Sequence, residues 1–480
     1  MNKFKQEEKD FLQYYFDTDA FPLPNKRHLM HINKHAIELI IRPNCNQTCE
    51  YCYIYKYGKD LYPKYNISNK EILENFDAFL DFYFIQRKNW SYLIEFFAGD
   101  LFYDDLFFDL IGILEKYLLK IKADYPYILE EHQTSIVIPC NMSFVVEKPE
   151  TVEKFKIIHD YFLKDFNTKI AFSWSTDGIY GTYERERKEL KQEYFDKIFD
   201  FCFEMNAGYH PMTSASNVHV LKENYDWWLE NISKRMKKCG TEIWEADFAP
   251  SMLEVRNGNE WTDNDIDVYL DFLKYAMKIR YELCHSDVEM LARHFFGDPN
   301  DFPKYKLPRL CNYDFLALNY HDTNDNPALE NIGCNLQNSL HINLIDFSMV
   351  PCHRTSYPLF TGCYFIKDNN GKIIDFKPHN VSGYYTIKTA HVYRMPVCSV
   401  CDYNPVCVKG CLGAQFEETG EILMPIPSIC NLYKRKADYL IKLYNDYGII
   451  EKAFELKLIQ NEKQKEWLIK KSKELGYELK

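Results

Sequence analysis

With 480 residues, 46% of them hydrophobic and 27% charged, the chain is long enough for about three domains or one large domain with additions. That composition excludes a disordered chain, a collagen and a small disulfide scaffold. Lys and Arg number 58 against 70 Asp and Glu, and the net charge of −12 argues against general binding to nucleic-acid backbones. Aromatic residues are abundant at 16%, so rings are expected to fill much of the core and any pocket.

The first 35 residues form an N-terminal extension. Its opening, MNKFKQEEKDFLQYYFD, alternates charged and aromatic residues and has no apolar signal-peptide core. No run approaches the ~18 uncharged apolar residues of a membrane span. The chain is therefore expected in the cytoplasm, off the membrane, where thiols stay reduced. In that setting the 16 cysteines point to metal rather than to disulfides.

From residue 36 short apolar runs alternate with longer amphipathic ones. AIELIIR at 36–42, YLIEFF at 92–97, SIVIP at 135–139 and KIAFSWS at 169–175 have strand length and turn residues at their ends. Segments 209–220 and 242–249 are two further strand candidates. Between them, 69–88 and 149–166 carry apolar residues at helical spacing, the second opening on Pro149 and acidic residues as a helix N-terminus does. Segments 186–205, 224–239 and 264–284 continue the helical pattern. Such alternation implies parallel βαβ units. Six of them make either an open barrel or a doubly wound sheet.

This core is bounded at 36–290. A connector rich in Pro, Asn and Asp follows at 291–330. Region 331–433 has short strands, frequent turns and dense cysteines, and is expected to be held by metal more than by a large core. The tail, 434–480, is a charged helical region whose Lys/Glu alternation marks a solvated face.

The cysteines are unevenly spread. Cys140, Cys202, Cys239 and Cys284 sit in periodic segments and are expected in the core. Cys45-x3-Cys49-x2-Cys52 directly follows the first strand, where parallel α/β folds place their chemistry. Three thiolates on one loop suit an iron–sulfur cluster that lacks one protein ligand. A zinc site completed by His28, His31 or His35 is the other reading.

The C-x3-C-x2-C pattern, with aromatic Tyr51 before the third cysteine, resembles the signature of the radical SAM superfamily. The resemblance implies a [4Fe–4S] cluster whose open iron is chelated by S-adenosylmethionine. Its reduction would yield methionine and a 5′-deoxyadenosyl radical that takes a hydrogen atom from substrate. Other segments extend the likeness. Ala98-Gly99-Asp100 follows the second strand where the family has a glycine-rich turn, commonly Gly-Gly-Glu-Pro, that meets the methionyl amino group; Ala98, Asp100 and Leu101 depart from it. Asn141 ends the third strand, and Ser175-Thr176-Asp177-Gly178 resembles a Ser-x-Asp-Gly turn whose serine would bond the ribose or the methionyl carboxylate. Arg185 and Arg187 stand where a carboxylate-binding arginine often lies, although a solvated helix face explains them equally.

Cys398-x2-Cys401-x5-Cys407-x3-Cys411-x18-Cys430 resembles the SPASM domain, an extension carrying two auxiliary [4Fe–4S] clusters. By that likeness Cys398, Cys401, Cys407 and Cys430 ligate the second auxiliary cluster. Cys411 goes to the first, with Cys334 and Cys352, and Cys311 or Cys363 is the candidate fourth ligand. A four-thiolate zinc ribbon is the alternative. The implied architecture is a partial (β/α)6 TIM-like barrel with a C-terminal Cys-rich α+β domain.

Relatives with this extension mostly crosslink peptides or oxidise a residue in sulfatases. In the sulfatase-maturating members a carboxylate follows the cysteine that matches Cys352 and acts as base; here the residue is His353, a departure that makes it the candidate proton acceptor. About 35 residues precede the first strand, too few for a leader-binding domain. The expected function is oxidative maturation of a peptide or protein, with a flavodoxin- or ferredoxin-like electron donor. A small-molecule dehydrogenase and a zinc-stabilised interaction protein are the alternatives.

Overall fold

The computed structural model describes residues 6–10, 12, 31–33, 36–64, 66–104, 106–181, 190–238, 253–254, 261–297, 339–390, 394–407, 410–459 and 462–479. Cys239, Cys311, Cys334, Arg185, Arg187 and the strand candidate at 242–249 lie outside them. The chain forms two compact units, one of residues 1–174 and 335–389, the other of 175–334 and 390–480. The residues expected to form one Cys-rich extension are thus divided between the units.

In chain order the strands that matter here are β1 (Ala36–Arg42), β2 (Leu93–Ala98), β3 (Thr134–Cys140), β4 (Thr168–Thr176) and β5 (Gly208–Thr213). They continue with β6 (Leu253–Glu254), β7 (Ser339–Asn343), β8 (Ser348–Val350), β9 (Cys363–Lys367) and β10 (Ile373–Pro378). In the first unit the sheet runs β10-β9-β8-β7-β1-β2-β3-β4. β1 to β4 are parallel neighbours, as the βαβ pattern predicts. β7 adds a parallel partner on the other side of β1, pairing from Ala36↔Ser339 to Ile40↔Asn343. β7 to β10 then form an antiparallel meander. The fold is mixed α/β on a parallel core, and the barrel is not closed.

Strands β3 and β4 alternate buried and half-buried residues. The buried face packs on helices α2 (Asn69–Leu80), α3 (Leu106–Asp124) and α4 (Pro149–Phe166). Rings carry much of that contact, as composition predicts: Phe172 meets Phe155 at 4.7 Å and Phe96 meets Phe76 edge-on at 5.8 Å. Helix α2 starts at a Ser68–Glu71 capping box. The single helix expected over 69–88 instead passes into a π-helical segment at Asp81–Gln86. The half-buried face carries the site. Register aligns His341, Glu38, Glu95, Val137 and Ala171 in one row across it.

In the second unit β5 pairs with β6 in parallel. The strand expected over 209–220 stops at Thr213, because Ser214 and Asn217 bond each other's backbone and turn the chain into a short 3₁₀ segment. Helices α5 (Gln192–Met205), α6 (Leu221–Lys238) and α7 (Asp263–Leu283) follow the predicted pattern. Helix α8 (Leu412–Thr419) follows the last closely spaced cysteines and α9 (Pro427–Asp446) carries Cys430. The tail helix α10 (Glu462–Glu474) is not solvated all round: Trp467 is buried and bonds the Asp402 carbonyl, and Lys471 reaches Tyr403. Among the described residues no helix is long and apolar enough to cross a membrane.

Candidate functional site

The first unit places the cysteine triad on the loop that leaves the carboxyl end of β1. Two backbone bonds lace this loop to the turn after β2: Gly99 N–H donates to Arg42 O at 3.0 Å and Asp100 N–H to Asn44 O at 2.8 Å. A Cβ at residue 99 would lie 2.0 Å from Asn44 O, so this approach requires glycine. Buried Arg42 fixes the same junction, donating to the Asp104 carboxylate at 2.5 Å and to Asp100 O at 3.2 Å. Asn141 donates to Asn46 Oδ1 at 2.8 Å and lies 3.9 Å from Cys45 Sγ, and Asn46 in turn donates to Ser143 at 2.7 Å. Cys45, Gly99, Asp100 and Asn141 are thereby brought together. Tyr51 is half-buried on the loop. Cys52 is the N-cap of α1 (Tyr53–Leu61) and its thiol makes no capping bond.

Cys45 is solvent-exposed as a residue, but desolvation of its sulfur pushes the thiol up to about 12, and Asp100, Cys49 and Cys52 push in the same direction against the Gln47 N–H. Burial likewise raises Asp100 above the usual carboxylate range, despite bonds from Phe102 and Asn141. Thiols that oppose one another's ionisation are relieved by a metal cation between them, and an all-sulfur donor set selects iron–sulfur or zinc. The residues present therefore fit a sulfur-ligated metal centre on a loop packed against the Gly99 backbone.

A second polar group lies on the half-buried face of the same sheet. Glu38 Oε2 accepts from His341 Nε2 at 2.9 Å and lies 3.1 Å from His353 Nδ1. Burial alone would raise Glu38, but the two imidazoles hold it well below the usual range. Burial keeps His341 neutral, down to about 4, with Glu38 opposing and Lys388 assisting. The His353 ring stacks on Phe97 at 3.8 Å. A ring nitrogen from each histidine and Cys352 Sγ lie within 4.8 Å of one another, a donor set able to hold a metal. Cys363, the candidate partner of Cys352, is elsewhere. It pairs with Met349, which pairs with Ile342, so it projects from the face opposite to His341. Glu38, Glu95 and His341 give no sequence signal. Only the parallel pairing of β7 with β1 brings them into a row.

In the second unit Ser175 is half-buried and precedes a turn that Gly178 makes possible, at φ +79°, with Asn224 against it. The late cysteines converge. Cys398, Cys407, Cys411 and Cys430 line a small concavity of about 30 Å³, walled also by Gly410, Gln415, Pro425, Ile426, Ile429 and Tyr433. Cys401 does not line it but is near enough to raise Cys430, after burial. All thirteen described cysteines are free thiols. Cys140, Cys202 and Cys284 are buried in the core as expected.

A mixed α/β fold with an open parallel sheet and a sulfur-rich loop at a strand's carboxyl end defines the class, and comparison with known proteins finds that fold. No family pattern matches the chain, and no curated protein matches it. Among solved structures, "Native anSMEcpe with bound AdoMet and Cp18Cys peptide" is similar at a TM-score of 0.50 and 14% identity, covering 86% of this chain and 99% of that one. "Native anSMEcpe with bound AdoMet" is similar at 0.51 and 14%, covering 85% and 99%. The likeness is one of fold, and it agrees with the superfamily resemblance carried by the cysteine motif.

Proposed function

We propose that the chain is a radical S-adenosylmethionine enzyme that oxidatively modifies a peptide or protein, by crosslinking or dehydrogenation. The observation that carries this reading is the three-thiol loop at the end of β1, laced to the Gly99 turn and touched by Asn141. The fold shared with a chain solved with AdoMet and a peptide supports it. In this reading Cys45, Cys49 and Cys52 hold a [4Fe–4S] cluster with one iron left to S-adenosylmethionine, on a six-stranded open barrel. Bound there, the pair supplies a one-electron cleavage and a carbon radical able to take hydrogen from substrate.

The chain's own residues do the rest. Gly99 gives the methionyl amino group a bare backbone to approach, and Asp100 and Asn141 orient it. Tyr51 and Ala98 serve the nucleotide. His353 takes the substrate's proton: Glu38 holds Nδ1–H, which leaves Nε2 as acceptor, and Phe97 fixes the ring plane. Cys352 serves one auxiliary [4Fe–4S] cluster and Cys398, Cys401, Cys407 and Cys430 another, fed by a flavodoxin- or ferredoxin-like donor.

The test is anaerobic reconstitution, followed by reductant, S-adenosylmethionine and candidate peptides. Wild-type protein should hold iron and sulfide and release 5′-deoxyadenosine. The combined variant Cys45→Ala, Cys49→Ala, Cys52→Ala should lose that product while keeping the iron of the other cysteines. Zinc in place of iron, or undiminished product from the variant, would overturn the proposal.

A further inference from the structure

The cysteine concavity of the second unit has one polar wall that the proposed chemistry does not use. Gln415 sits in the first turn of α8, four residues after Cys411, and is 1% exposed. Its backbone is paired, N–H to Cys411 O at 2.9 Å and carbonyl to Thr419 at 2.7 Å. Its side chain is not: both Oε1 and Nε2 are buried and neither has a hydrogen-bond partner among the described residues. The amide lies over Gly410, whose φ is +72° and whose missing Cβ would meet the Gln415 Cδ and Nε2 at 3.8 Å. The group is thus held against the concavity by packing.

A buried amide without partners is destabilising, because its lost hydration is not replaced. Around Gln415 the cavity is lined by four thiols, aliphatic carbon and Tyr433, and neither amide atom bonds any of them. An occupant of the concavity is what can satisfy the amide. An occupant held by those cysteines presents thiolate and sulfide sulfur, which accept N–H bonds. Such bonds stabilise the added negative charge of the reduced cluster and raise its potential.

We infer that Gln415 Nε2 donates a hydrogen bond to a sulfur atom of the iron–sulfur cluster that Cys398, Cys407 and Cys430 help to hold, and so sets how readily that cluster accepts an electron. The inference rests on the reading of the late cysteines as cluster ligands.

The experiment is a redox titration, followed by EPR, on the full chain carrying the Cys45, Cys49 and Cys52 alanine substitutions, which removes the signal of the first cluster. Gln415→Met and Gln415→Leu each remove the donor without adding charge. At a fixed potential the reduced fraction relative to oxidised should fall about ten-fold in both, equivalent to 59 mV for one electron. Faster loss of iron from these variants to a chelator, at unchanged helix content, also supports the bond. Wild-type iron and sulfide with an unshifted midpoint would overturn it. The underlying reading fails differently: Cys398→Ser with Cys407→Ser would then leave iron and sulfide unchanged in the parent chain.

Discussion

Glu95 projects from the half-buried face of β2, beside Glu38 in the register row, with no hydrogen bond among the influences on its carboxyl. Burial raises its carboxyl to about 7, with Glu38 adding and His353 opposing. The consequence for stability has a definite sign. Unfolded, the group loses its proton near the ordinary glutamate value of 4.5, whereas folded it keeps it to about 7. The folded state therefore binds more protons between those values, and stability falls as pH rises through that window. At 1.36 kcal/mol per unit, the penalty above pH 7 is at most about 3 kcal/mol. Glu95→Gln should thus stabilise the chain at pH 8 by up to about 3 kcal/mol and give no gain at pH 4, measured by urea unfolding. An equal effect at both values would show that the carboxyl is not held proton-bound. A residue kept at such a cost on the face shared with Glu38, His341 and His353 is of the kind that active sites retain. The triad cysteines stand out in the sequence because their pattern lies in local spacing, and Asn141 only through the superfamily resemblance. Glu95 was not, since one glutamate in a strand has no signature until its neighbours are known.

Elements β1 to β4 were legible because each is a short apolar run with punctuation at both ends, and the turns between strand and cofactor residues follow from them. The Gly99 turn tests this scale. Its backbone approach to Asn44 leaves no room for a methyl group, and overpacking of that kind costs about 1–3 kcal/mol. The loop would move before the sheet did. Gly99→Ala should therefore keep a wild-type far-UV spectrum while weakening S-adenosylmethionine binding at least ten-fold by equilibrium dialysis. Unchanged affinity would remove this turn from the site. Register supplies a second comparison on β9. Cys363 faces away from Cys352 and its thiol is fully buried, so Cys363→Ser should leave reconstituted iron at the wild-type level. Cys352→Ser should lower it by about one cluster. Equal iron loss in both would contradict the facing inferred from the ladder. Sequence spacing left Cys363 open as a ligand because the face of a strand depends on its pairing partner, which spacing does not reveal.

At the scale of the molecule, the first unit is assembled from chain segments 160 residues apart, 1–174 and 335–389. Its least legible feature is the pairing of β7 with β1, because a parallel partner drawn from so far along the chain leaves no local trace. That pairing decides what can fold. Ile37, Leu39 and Ile40 on β1 are fully buried, and Leu340 and Ile342 on β7 are buried with them. The helix behind the cysteine loop depends on the same region: Ile54, Leu61 and Tyr62 share one apolar cluster with Ile40, Ile345 and Val350, and Tyr62 donates to His353 O at 3.0 Å. Removing residues after 334 would bare several side chains worth about 1.5–3 kcal/mol each when buried. Three of them are enough to rival the ~5–15 kcal/mol that holds a whole domain. The fragment 1–334 should therefore fail to melt cooperatively and should not retain triad iron after reconstitution, even though all three triad cysteines are present. A soluble fragment with a sharp transition and wild-type triad iron would mean that β1 and the cysteine loop are held by the N-terminal segment alone. The expected failure would show instead that β1 and the cysteine loop fold only with the chain that follows residue 334.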